Sequence, residues 1–147
     1  MKRLVTNERA RVGAWVAEKV GRDHPWVHEA ALGLEQDGEL VGGIVLSDYV
    51  PHARASMHCA GKGKTWLNRT FLFACFDYAF NFLDLKVLIN TAAADNEASL
   101  RFMKHIGFRE ISHIPQAWDG TKDLVLFELR RDECKWIKPG GKHENLH

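Results

Sequence analysis

The residues Gly61-Lys62-Gly63-Lys64-Thr65 gather two glycines, two lysines and a hydroxyl into five positions, a set suited to holding an anion. Glycine permits a sharp turn and close backbone approach, and the free amides and aligned peptide dipoles at a helix start favour negative charge. The apolar stretch from Thr65 to Phe82 predicts a helix directly after this turn. The turn therefore reads as a phosphate cradle, with Lys62 and Lys64 adding fixed charge. Gly63-Lys64-Thr65 also matches the closing half of a nucleotide-binding P-loop, but the glycine required five positions before the last one is His58 here. A surface turn with solvated lysines is the third reading.

The elements that must position this turn follow from periodicity. Asn7 can cap a helix in which Val12, Trp15, Val16 and Val20 recur at helical spacing and which Gly21 can stop. Pro25 disfavours helix at His24, so Arg22 to Trp26 reads as a loop able to border a substrate site. Asp37-Gly38 is a two-residue hairpin signal between apolar runs at 29–36 and 39–47. Gly42-Gly43 within the second run suggests a bulge or a close backbone approach. A third strand covers 53–59, with small residues that leave room against its backbone. Trp66, Phe71, Phe73, Phe76, Tyr78, Phe80 and Phe82 make the next helix the central buried one. A strand at 86–91, a helix at 97–106 capped by Asn96 and stopped by Gly107, and strands at 108–114 and 123–129 complete the order. The expected order is helix, three strands, helix, strand, helix, two strands.

At 147 residues the chain fits one domain, expected over 1–138 with a flexible tail at 139–147. A composition 46% hydrophobic and 27% charged is that of a soluble globular protein, and no apolar run approaches the roughly 18 residues of a membrane span. Cys59, Cys75 and Cys134 are too widely spaced for a paired zinc motif and read as reduced thiols, which with the absence of a leader points to the cytoplasm. A net charge of +1 gives no general argument for nucleic acid binding.

The element order, the series His58, Gly61 and Gly63 after the third strand, and the block Asn96, Ser99, Gly107 and Phe108 resemble the GNAT acyltransferase superfamily. Trp66-Leu67 and the closing Asp132 to Trp136 look like a bacterial and phage subset, within the broader group that includes acetyltransferases of ribosomal protein N-termini. The resemblance implies an α/β (α+β) fold with a mixed, largely antiparallel, splayed sheet flanked by helices, binding acetyl-CoA between the third strand and the strand ending near Thr91. The pantetheine arm would pair with backbone at Met57, His58 and Cys59, and the amides of Gly61, Lys62, Gly63, Lys64 and Thr65 would hold the pyrophosphate. Asn96 would bond the pantetheine, and Ser99 and Phe102 would shape the wall beside it. Asn96 also reads as a helix cap alone.

The activity so implied is direct acetyl transfer to a primary amine, which must lose its proton before it can attack a thioester. His58 and Asp48 are the candidate bases, with Glu35 a third; a third-strand amide could hold the oxyanion. The tyrosine that many family members place seven residues after the asparagine is Met103 here, which cannot protonate a departing thiolate. That substitution motivates the alternative of a noncatalytic, acyl-CoA-binding or protein-interaction module. No metal is expected, because His52, His58 and Cys59 have poor ligand spacing. The acceptor class is open, with the loops at Trp26 and Trp118 expected to select it, and a homodimer is consistent with the resemblance.

Overall fold

The computed structural model describes residues 1–27, 29–63, 66 and 68–137. The element order is β1 (Lys2–Val5), α1 (Arg9–Val20), β2 (Ala30–Gln36), β3 (Glu39–Val50), β4 (Arg54–Gly61), α2 (Arg69–Asp77), β5 (Val87–Ala93), α3 (Glu97–Ile106), β6 (Arg109–Ile114) and β7 (Leu124–Arg130). The strands form one sheet in the order β1-β2-β3-β4-β5-β7-β6, antiparallel except where β4 meets β5. The expected fold class holds.

Most expected elements are present, with informative shifts at their ends. The opening residues, read as an irregular start, form β1, which pairs with β2 from Lys2↔Gln36 to Val5↔Gly33. The first helix takes Glu8 rather than Asn7 as its N-cap, with no side-chain bond. Asp37 and Gly38 both adopt positive φ, 54° and 88°, the conformation of a twist-matched two-residue hairpin turn. The third strand runs on to Gly61, and the aromatic helix begins at Arg69, not Thr65. Its last turn, Tyr78–Phe82, widens to π geometry. Phe71, Phe76 and Phe80 are buried there, whereas Phe82 ends the helix 67% exposed. The calls on Lys64 and Thr65 and on the tail at 139–147 fall outside the described residues.

The sheet carries a core on each face. On one, Phe71, Phe76 and Phe80 pack with Met103 and Ile106 of α3 against Ile44, Leu46, Met57, Leu88 and Phe127. On the other, Val12 and Val16 of α1 pack with Val5, Ala31, Leu40 and Val45. What lets α1 sit so close is a pair of glycines directly opposed across β2 and β3, Gly33↔Gly43. A Cβ at Gly33 would lie 2.8 Å from Val12 Cγ2, and one at Gly43 would lie 2.7 Å from Val16 Cγ2. The helix lies in a trough that only glycine provides, and its C-terminus is thereby aimed along the sheet toward β4.

The closing block has a structural use. Trp136 Nε1 donates to the Ile106 carbonyl at 2.7 Å and Lys135 Nζ to the His105 carbonyl at 3.2 Å, occupying carbonyls that the end of α3 leaves without intrahelical partners.

Gly43→Ala is expected to lower the urea midpoint by about 1–3 kcal/mol equivalent, because the new methyl meets a stiff β-branched side chain. In a double-mutant cycle with Val16→Ala the two losses should not add, the coupling being about 1 kcal/mol in the compensating direction; additive losses would show that α1 does not rest on Gly43.

Candidate functional site

β4 and β5 run side by side for three rungs, Arg54↔Val87 to Ser56↔Ile89. Beyond Ser56 each strand follows a different neighbour: β4 continues along β3 to Gly42↔Gly61, and β5 along β7 to Ala93↔Leu124. The wedge that opens between them is a cleft of about 600 Å³. His58 to Gly61 and Asn90 to Ala92 line its floor, α3 supplies one wall, and the end of α1 with the loop after it and Trp118 form the rim.

The backbone of β4 is the principal resource of the cleft. Lys62 N–H donates to the Val41 carbonyl at 2.8 Å, which sets the phase of the antiparallel ladder. Peptide groups alternate in direction along a strand. His58 and Ala60 therefore bond toward β3, while Cys59 and Gly61 turn theirs toward the gap. Of the backbone expected to pair with a pantetheine arm, that of Cys59 faces the gap. His58 instead offers its side chain, and Met57, one residue past the last shared rung, buries its side chain in the core at 1% exposure.

The glycine-lysine turn differs from the expected cradle. Gly61 is still in the strand, and a Cβ there would fall 1.9 Å from the Trp66 indole. The absence of a side chain at Gly61 thus serves Trp66, which packs over it and reaches Phe71 and Phe102 at ring separations of 6.4 and 5.7 Å. Lys62 spends its amide on β3, and the turn proper begins at Gly63, with φ 73°. Helix dipole and free amides lie farther on. Asn68 caps α2 by accepting from Phe71 N–H at 2.8 Å, and its carbonyl takes Leu72 N–H at 3.0 Å. Among the described residues the first-turn amides of Arg69 and Thr70 have no partner, and the first turn of α2 carries no acidic residue to compete with an anion.

On the α3 wall, Asn96 Oδ1 accepts from Ser99 N–H at 3.1 Å, so the residue caps its helix. Capping uses the oxygen and leaves the amide nitrogen, and Asn96 lines the cleft with Ser99, Phe102 and Met103. Met103 is 4% exposed and brings no proton donor.

Of the base candidates, His58 lines the cleft. Its Nε2 lies 2.9 Å from Ser47 Oγ, whose hydroxyl in turn lies 3.3 Å from Asp48 Oδ2. Trp26 packs on the imidazole at 4.7 Å, and the Arg22 guanidinium lies over the Trp26 ring at 4.1 Å. Burial, aided by the charge of Arg22 and opposed by Asp48, lowers the His58 pKa to about 4. The ring is neutral at pH 7 and can accept a proton.

The other two base candidates are corrected. Asp48 is exposed and does not line the cleft. It sits in a β3 bulge at φ 53°, donates its N–H to the Val27 carbonyl at 2.8 Å, and reaches His58 only through Ser47. Glu35 is buried under β1 and α1, where Arg11 first and then Arg3 hold its carboxyl below the usual range. Burial pushes the Cys59 thiol up to about 12, which removes it as a thiolate nucleophile. His52 faces Asp84 at 2.9 Å, away from His58 and Cys59. In the sequence Arg22 reads only as part of a loop able to border a substrate site, and Ser47 goes unnoticed; Ser47 is joined to His58 only by strand register.

The lowered His58 pKa has a consequence for stability. Between the ordinary value of about 6.5 and the folded value of about 4 the unfolded chain binds the extra proton, so stability falls as pH drops through that window. The expected loss is on the order of 3 kcal/mol. In denaturant titrations at pH 7 and pH 4, His58→Gln should show a smaller acid loss than the native chain by about that amount; equal losses would place the titration elsewhere.

Residues 3–109 match the acetyltransferase (GNAT) domain family. No curated protein sequence matches the chain. Among solved structures, a chimera of the Vibrio cholerae spermidine N-acetyltransferase SpeG and hSSAT superposes with TM-score 0.72 at 17% identity, covering 93% of this chain and 99% of that one. A dodecameric form of the Vibrio cholerae enzyme gives TM-score 0.70 at 18% identity, covering 89% and 94%. At such identities these structures speak for the fold, and the family match carries the activity. The chain belongs to the GNAT acetyltransferases and is an enzyme of acetyl transfer to an amine.

Proposed function

We propose that the acetyl donor is acetyl-CoA, bound in the wedge between β4 and β5, and that transfer to a primary amine is direct. The observation that supports this is the strand separation itself. It leaves the peptide groups of Cys59 and Gly61 facing a cleft of about 600 Å³ with no strand to pair with, and unpaired backbone groups in a partly desolvated gap call for a ligand with amides of its own. The pantetheine arm has such amides. Its pyrophosphate is assigned to the turn at Gly63 and the Arg69 and Thr70 amides at the start of α2. The Asn96 amide nitrogen donates to the arm from the α3 wall.

Acetyl-CoA supplies an activated carbonyl, and this chain's residues orient the amine and take its proton. Ser47 donates to Asp48, which can only accept, and receives from His58 Nε2–H; the bare nitrogen of the neutral ring is then Nδ1. His58 Nδ1 is the proton acceptor, directly or through one water, and the Cys59 amide is the candidate oxyanion donor. With Met103 in place of a phenol, the CoA thiolate leaves without a side-chain acid. A thiol of pKa about 8.5 permits this.

Among the described residues no helix is long and apolar enough to cross a membrane. A cytoplasmic setting of bacterial or phage origin fits the resemblance and the three free thiols, and self-association to at least a dimer fits the assembly of the structural neighbour.

Calorimetric titration with acetyl-CoA tests the cofactor assignment, and absence of binding by the folded protein would overturn it. Asn96→Asp keeps the acceptor that caps α3 but removes the amide donor, so acetyl-CoA should bind about tenfold more weakly while the melting temperature holds. His58→Gln should lower kcat by about 10²-fold or more, read as thiol release, with acetyl-CoA affinity unchanged; an unaltered kcat would remove His58 as the base.

A further inference from the structure

The rim of the cleft beside His58 carries a cation held unusually firmly. Gly21 ends α1 at φ 76°, and Arg22 N–H returns to the Ala17 carbonyl at 2.8 Å, which pins the backbone. The side chain is pinned as well. Arg22 Nε donates to the His24 carbonyl and Nη2 to the Pro25 carbonyl, both at 2.9 Å, and the guanidinium lies 4.1 Å from the Trp26 ring centroid. Trp26 is itself tied by its Nε1 bond to the Gly13 carbonyl at 2.9 Å and packs on His58.

This guanidinium is half-buried, and no carboxylate pairs with it among the described residues. The adjacent Asp23 turns its carboxylate to His24 Nδ1 at 3.0 Å. Among the described residues Nη1 has no partner, and the guanidinium shares Trp26 as a neighbour with the imidazole. A fixed planar cation that has already lost its rotamer entropy is suited to a carboxylate or phosphate oxygen. Lys19 adds a second positive charge on the same rim, and Asp23 is the one carboxylate among the described residues lining the cleft. A substrate with several ammonium groups would meet repulsion there with little to offset it.

We infer that the acceptor is a small amine that also carries an oxyanion, its carboxylate or phosphate held by Arg22 and its amine presented to His58. A polyamine is the substrate class this rim disfavours. The inference rests on the acetyltransfer reading of the cleft and narrows its acceptor.

Initial rates of thiol release from acetyl-CoA are compared for 4-aminobutyrate, alanine and O-phosphoethanolamine against butylamine and spermidine. At least one acid-bearing amine should exceed butylamine and spermidine in kcat/KM by tenfold or more, the carboxylate and phosphate arms showing which oxyanion is preferred. Arg22→Gln should abolish that preference through KM, Arg22→Lys should restore part of it, and acetyl-CoA affinity by calorimetry should be the same in all three proteins. Better turnover of spermidine or butylamine overturns this inference alone. Weakened acetyl-CoA binding in Arg22→Gln also overturns it, since Arg22 would then serve the cofactor's phosphates. No turnover of any amine overturns the acetyltransfer reading together with this one.

Discussion

The two halves of the sheet are joined by three parallel rungs, and the site depends on their ending at Ser56 and Ile89. Before that point the backbone groups of β4 and β5 satisfy one another; after it each strand is held by its outer neighbour, β3 or β7, and its inner edge has no strand to bond. Unpaired edges are normally exposed and guarded. Here the two edges face each other across a cleft whose far wall is α3, so the groups that would template another strand face that cleft instead. In the proposed reading the acetyl donor uses that separation, and what the site offers it first is main chain.

Holding a sheet open in this way requires each half to be stable by itself. The β2–β3–β4 half is anchored on one face by α1, seated on Gly33 and Gly43, and on the other by the aromatic residues of α2. Trp66 closes the end of the wedge: its indole lies on Gly61 and Gly42 and meets Phe102 from α3. Small residues in β3 and β4 thus serve packing as much as ligand access. The trough under α1 also has a consequence at the site, because it directs the helix end toward β4 and so brings Arg22 and Trp26 over His58.

The groups around His58 come from three separate stretches. β4 supplies the imidazole, the β3 bulge supplies Ser47 and Asp48, and the loop after α1 supplies Trp26 and Arg22. The positive φ of Asp48 is a conformation that a side chain other than glycine adopts at some cost, and it is what turns the carboxylate back toward Ser47. Local strain at this bulge and the burial of a neutral histidine are two departures from a stability optimum in one place, as is common where a structure serves chemistry.

The sequence by itself determined the elements whose causes are local. The Asp37-Gly38 hairpin, the Gly107 stop, the Asn96 cap and the buried aromatic helix follow from backbone conformational preference and periodicity, which act over a few residues, and the GNAT resemblance rested on the same local blocks. Tertiary structure decided what depends on register and on which side of a strand faces a gap. It moved the helix start from Thr65 to Arg69, put Gly61 under an indole, removed Asp48 and Glu35 from the cleft, and joined Ser47 to His58 across two strands. It also set the Arg22 guanidinium near an imidazole 36 residues away in the chain. Such partnerships are absent from local pattern because the free energy that selects them comes from burial and from pairing between distant segments, and is realised only once the sheet has formed.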